Sequence, residues 1–265
     1  MKTKTMTICM IAAVLAFGTA VKATTFNYTV SPGDLADGPT FDNGRGGMPF
    51  GYDPDSVKPK GSNQTGPTGF GDSCFWADVQ GSAAGGGVDY TAIRLSPRDI
   101  FGVSDVTISD LSAISYYTKW ISDLDWQLKI YTEGDDSHWY GYRFNFTRPT
   151  PADNNWHNYV TDTDLTVSDV YDKYAPGYVS VPGTGLLSDL DTSYGSEKIL
   201  FIDIISSYMT ASLPGDSYLD GVSITLDNGD IATMNLVIPE PATIIMILGG
   251  GIAGLAGIVR RKMRL

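Results

Sequence analysis

Histidine occurs only at His138 and His157, glutamate only at Glu133, Glu197 and Glu240, and cysteine only at Cys9 and Cys74. These scarcities exclude much chemistry. Two histidines 19 positions apart make no H-E-x-x-H zinc site, and no G-x-S-x-G nucleophile elbow occurs. A paired-glutamate glycosidase is not indicated, because Glu133 lies in a turn-like stretch and Glu197 just before a strand-like one; an aspartate pair stays open. Cys9 falls in an apolar leader, so Cys74 would stand alone in the mature chain and no internal disulfide can form. Beside Phe75 and Trp76 it is expected to be a buried apolar residue. Basic residues are also few. Residues 24–238 hold 11 cations against 29 acids, a net charge of −18, which excludes nucleic acid as a partner because phosphate binding requires the opposite sign.

What is abundant is aspartate, at 27 of the 30 acids. Aspartate favours turns and element ends over helix interiors, so the bias predicts a loop-rich all-β domain. The pattern agrees. Phe26, Tyr28 and Val30 alternate, and β-favouring runs occupy 73–80, 89–95, 106–108, 111–119, 199–205, 218–226 and 231–237. Segments 126–132 and 138–146 flank Glu133-Gly134-Asp135-Asp136-Ser137 and read as a hairpin, with another strand at 156–160. Asn228-Gly229 suits a type I′ turn. Two short helical connectors are expected, one from the spacing of Val167, Val170, Tyr171 and Tyr174, the other from Ser188 to Gly195. Residues 33–71, with ten glycines and five prolines, look too broken for regular strands. They predict either a mobile N-terminal region or a long loop over one sheet, and Phe41, Phe50, Tyr52 and Phe70 favour the wrapped loop.

The two ends carry addresses. Lys2 and Lys4, an apolar core over Met6–Phe17 and Val21-Lys22-Ala23 form the three regions of a secretory signal peptide spanning 1–23; cleavage after Ala20 is the alternative. At the other end Pro239-Glu240-Pro241 excludes helix and holds the chain extended. Ala242 to Val259 comes next without a charge, about 27 Å as a helix, which matches a bilayer's hydrocarbon core. Arg260, Arg261, Lys262 and Arg264 then form a basic cluster expected to stay cytoplasmic. Residues 237–265, in this order of parts, resemble the PEP-CTERM sorting signal. That resemblance implies an exosortase-type sorting protease as partner, transient residence in the inner membrane, delivery to the cell surface and an association with extracellular polysaccharide. A plain single-span anchor is the competing reading.

Between the ends, residues 24–236 suffice for one well-cored domain. Some ten strands without a repeat predict a jelly-roll-type two-sheet sandwich. The stretch from Leu111 through Trp156-His157 to Tyr218–Val222 resembles the jelly-roll domains of carbohydrate-binding modules and lectins, without a diagnostic motif. Period-two alternation then assigns faces: Tyr140, Tyr142, Phe144 and Phe146 to the core, Trp139, Gly141, Arg143 and Asn145 to the opposite side. On the partner strand Lys129 and Tyr131, with Gln127, extend that second face. Trp139, Arg143, Asn145, Tyr131 and Lys129 are therefore the candidate ligand-binding residues, since an aromatic plane, a fixed cation and an amide together stack on and hydrogen-bond a sugar ring. Asp123/Asp125, Asp162/Asp164 and Asp189/Asp191 have the Asp-x-Asp spacing that can share a hard cation, and Asp220 is the candidate for structural Ca2+. No catalytic residues are assigned. The expected role is a non-catalytic, exported, polysaccharide-binding or structural component, with a surface glycan hydrolase as the alternative.

Overall fold

The computed structural model describes residues 23–36, 48–53, 56, 58–77, 90–120, 126–147, 153–207 and 217–238. The signal-peptide segment 1–22, the tail from Pro239 onward, Phe41, and Asp123 and Asp125 lie outside the described residues. Fourteen strands are present among those described: β1 (Thr25–Val30), β2 (Phe50–Tyr52), β3 (Lys60–Ser62), β4 (Cys74–Ala77), β5 (Tyr90–Leu95), β6 (Leu111–Trp120), β7 (Trp126–Glu133), β8 (Tyr140–Phe146), β9 (His157–Val160), β10 (Val167–Asp172), β11 (Gly177–Val179), β12 (Ile199–Ser207), β13 (Ser217–Leu226) and β14 (Ile231–Leu236). They form two seven-stranded sheets. The first runs β1-β14-β13-β4-β3, with β6 on the other edge of β13 and β9 beyond it; the second runs β11-β10-β8-β7-β12-β5-β2.

One apolar core joins the sheets. Val30, Phe75, Ile114, Val222 and Met234 of the first sheet share a cluster with Ile93, Trp126, Leu128, Phe144 and Ile204 of the second. Tyr116 couples the layers directly, its hydroxyl donating to the Trp126 carbonyl at 2.9 Å. Alternation explains the inward faces: β7 buries Trp126, Leu128 and Ile130 on the core, and β12 buries Ile202 and Ile204.

Three sequence expectations are corrected here. Residues 33–71 supply short edge strands after all, β2 against β5 and β3 against β4, so each sheet takes one strand from the Gly/Pro-rich stretch. Val167, Val170 and Tyr171 lie in strand β10, not a helix; a bulge between Val167 and Asp169 turns both valines inward and imitates helical spacing. The 227–230 connection is not type I′. Gly229 has φ +88°, Asn228 is not among the positive-φ residues, and Gly229 N–H donates to the Leu226 carbonyl, as in a type I turn closed by a glycine bulge. A five-residue helix, α1 (Pro97–Phe101), is also present: Ser96 caps it through the Asp99 N–H, Pro97 opens it and Gly102 closes it at φ +67°. The second expected connector is present, a 3-10 turn at Ser188–Leu190 running into α2 (Asp191–Tyr194).

Candidate functional site

The outer face of the second sheet carries two ladders of side chains set by strand register. The first crosses five strands: Tyr178 on β11, Tyr171 on β10, Arg143 on β8, Tyr131 on β7 and Phe201 on β12. At about 4.8 Å between strands it is roughly 19 Å long. The second runs beside it as Asp169, Asn145, Lys129, Asp203 and Arg94, ending at Gly51 on β2. All five candidate ligand-binding residues thus come together on one face: Tyr131 opposite Arg143, Lys129 opposite Asn145, and Trp139 laid over Tyr131.

Trp139 is the distinctive member. It precedes β8 and is 48% exposed, yet its ring lies 15° from the plane of Phe201 and 23° from that of Tyr131. Beneath it Tyr131, Tyr140, Leu200 and Phe201 form an apolar cluster separate from the main core, with Ala36 and Tyr171 at its rim. The assignment of Tyr140 to the core is therefore wrong. Arg143 pairs with Tyr131 but Tyr140 pairs with Glu133, so β8 spends one residue more than β7 between those positions, and the bulge flips Tyr140 to the outer face. Tyr142 N–H, freed from the ladder there, donates to Thr132 Oγ1 at 2.8 Å. Gly141 is needed at this point because a Cβ would fall 2.7 Å from the Glu133 carbonyl oxygen. A second bulge, at Leu200 on β12, brings Phe201 opposite Tyr131.

Three cations at this face lie over rings. Arg94 Cζ lies 4.4 Å above Phe201, Arg143 Cζ 5.2 Å from Tyr171 and Lys173 Nζ 5.4 Å from Tyr140. Arg94 is buried and bridges two carboxylates, Asp203 at 3.2 Å and Asp53 at 2.7 Å. Burial pushes the Asp203 carboxyl up to about 7, and Arg94 opposes that rise. Burial likewise pushes the Tyr131 phenol above its usual range, so it stays a neutral donor. Asn145, only 6% exposed, donates its amide to Asp169, while its Oδ1 and the Arg143 Nε have no protein partner. Buried polar atoms without partners are uncommon in folded proteins. At the patch edge Tyr178 stands 67% exposed, edge-on to Tyr171. A groove of about 440 Å3 lined by Leu35, Ala36, Met48 and Phe50 shares Ala36 with the apolar cluster and so adjoins this face.

Other candidates have different settings. Asp162 accepts from Leu187 and Ser188 N–H, and Asp189 from Thr184 and Leu186, so these aspartates cap turns. Asp220 sits fully buried in β13, where its edge partner changes from β4 to β14 and Gly221 adopts φ +57°. Its Oδ1 accepts from Gly221 and Leu236 N–H, while Oδ2 has no partner and faces Gly66, near the carbonyls of Gly71 and Ser73. Those three oxygens are what the chain offers a hard cation there; among the described residues no group of three His, Cys, Asp or Glu converges. Cys74 is buried, its thiol pushed up to about 12 by burial and then by Asp220, which leaves it unreactive. His138 and His157 pair with Asp135 at 2.8 Å and Asp153 at 2.6 Å on the surface. Glu133 and Glu197, far apart in sequence, come to the same end of the sandwich, since Glu133 N–H donates to the Lys198 carbonyl beside Glu197. That proximity was invisible in their spacing.

The described chain ends on Val237 and Ile238, and residues 237–262 match the PEP-CTERM protein-sorting motif. The tail is a PEP-CTERM sorting motif. This motif signals export and membrane anchoring ahead of surface sorting. No helix among the described residues is long and apolar enough to cross a membrane, and the expected span, 242–259, lies outside them. Curated protein sequences gave no match to the chain. Solved structures similar to this chain include a candidate sugar-binding protein from Bacteroides thetaiotaomicron and a family 11 carbohydrate-binding module from Clostridium thermocellum solved with a mixed-linked tetrasaccharide. The first is 10% identical, covering 78% of this chain and 96% of its own at a TM-score of 0.36. The second is 13% identical, covering 72% and 89% at 0.32.

Proposed function

We propose that this chain is an exported, exosortase-sorted surface protein whose jelly-roll-type sandwich binds an extracellular polysaccharide without cleaving it, through the outer face of its second sheet. The observation that carries this reading is Trp139, half exposed and lying flat at one end of the Tyr178–Phe201 ladder. A half-exposed indole backed by fixed rings suits the apolar face of a pyranose, and the half-buried Arg143 guanidinium on the same face is suited to its hydroxyls. The elongated patch favours a chain of sugar units over a single one.

In the same reading residues 1–23 direct export, Pro239, Glu240 and Pro241 form the sorting element, 242–259 spans the inner membrane, and Arg260, Arg261, Lys262 and Arg264 remain on its cytoplasmic side. Calcium at Asp220, with the Gly71 and Ser73 carbonyls, is the proposed structural ion. The exported protein, recovered from the medium, is to be applied to a glycan array and assayed in parallel for reducing-sugar release. Binding without release supports the reading; release makes it a hydrolase, and silence in both removes the sugar ligand.

A further inference from the structure

The first two residues of the sorting motif, Val237 and Ile238, belong to the fold. Three successive amides at the end of β14 are held by three different anchors. Leu236 N–H donates to Asp220 Oδ1 at 2.8 Å, Val237 N–H to the Val30 carbonyl at 2.8 Å, and Ile238 N–H to Ser73 Oγ at 3.2 Å. The Ile238 side chain also lies against Gly61 on β3, where a Cβ would come within 2.6 Å of Ile238 Cγ1. Gly61 thus leaves the space that Ile238 fills. The matched motif begins at Val237, so the residues that open it are the ones zipped onto the sheet.

We propose that this clip is a latch on sorting: the folded domain holds Val237 and Ile238 against β1, Gly61 and Ser73, and a sorting protease engages the motif only when the clip opens. The proposal rests on the exosortase-sorted reading above. Peptides enter protease sites as extended segments that use their own backbone donors and acceptors. Here the donors of 236–238 are already committed to the sheet. Reach tightens the constraint. From Ile238 to Ala242, where the expected span begins, four peptide units extend at most about 14 Å, so a clipped domain leaves a membrane-embedded enzyme almost no slack. Opening costs the Val237 and Ile238 hydrogen bonds and the Ile238 contact, enough to make the open form a minority and processing slow.

The test uses the full chain in cells that hold the sorting enzyme and in matched cells that lack it, with pulse-chase of the full-length and processed forms. Ser73→Ala removes one anchor, and Gly61→Val expels Ile238. Insertion of Gly-Ser-Gly-Ser between Leu236 and Val237 keeps 237–262 whole, moves it off the sheet and leaves a new N–H to take the Val30 carbonyl. The latch predicts processing at least threefold faster in all three, and amide exchange at 237–238 faster than in β14. Wild-type processing with the insertion variant no faster, or slower, overturns the latch while the sorting reading stands. Wild type unprocessed in both cell types overturns the sorting reading and the latch with it. The insertion does not touch the core, so an effect of Gly61→Val on folding leaves the test intact.

Discussion

Trp139 rests on Phe201 with ring centroids 6.1 Å apart and planes 15° apart, so a fully buried ring backs an indole that stays 48% exposed. An indole fixed this way loses little side-chain freedom on meeting a flat ligand. Trp139→Ala should therefore weaken polysaccharide binding about tenfold or more, equivalent to about 1.4 kcal/mol, with the melting temperature nearly unchanged. Tyr178→Ala, at the far end of the ladder, should cost less, and only for chains long enough to reach it. Affinity electrophoresis in a panel of soluble glycans reads both, and equal binding by all three proteins would move the site elsewhere.

Arg94 serves stability under the same face. Arg94→Met leaves Asp203 and Asp53 without their shared cation, one of them fully buried, and should cost about 3–5 kcal/mol in denaturant unfolding. Adding Asp203→Asn should recover part of that loss, because the uncompensated buried charge is the larger penalty. A double variant no more stable than Arg94→Met would show that the lost packing of Arg94 over Phe201 dominates instead.

Acid should loosen the surface turns. The His157 side chain, and after it Asn155, lowers the Asp153 carboxyl to about 2, and the Thr184 hydroxyl with backbone N–H groups lowers Asp189. Groups depressed in the folded state add stability above their unfolded value near 3.8, and that contribution is lost as pH falls from about 4 towards 2. Melting temperature should decline through that window, and Asp189→Asn should show a shallower decline from a lower start. Parallel curves for the two proteins would mean that this cap is not what acid breaks.

Calcium is testable at Asp220. After EDTA treatment, added Ca2+ should raise the melting temperature of the wild-type protein and raise that of Asp220→Asn much less, since a neutral amide oxygen holds a hard cation more weakly than a carboxylate. No rise in either would end the calcium proposal and leave Asp220 with its bulge contacts to Gly221 and Leu236 alone.

The sequence by itself determined what depends on local order. Its aspartates, alternating aromatics and turn residues marked an all-β domain, and the period-two pattern put Arg143, Asn145, Lys129 and Tyr131 on one face. The Pro-Glu-Pro, apolar and basic parts of the tail succeed one another along the chain, so the sorting motif was readable without a fold. Only the tertiary structure decided what depends on register. Bulges in β8, β10 and β12 each insert a residue and reverse the facing of the residues beyond it, which moved Tyr140 outward, made a strand look helical and set Phe201 beneath Trp139. The Arg94 bridge to Asp53 and Asp203, and the clip of Ile238 to Ser73 and Gly61, join residues 41 to 177 positions apart. No spacing along the chain encodes such contacts, because they arise from which strands become neighbours when the two sheets bury their apolar faces together.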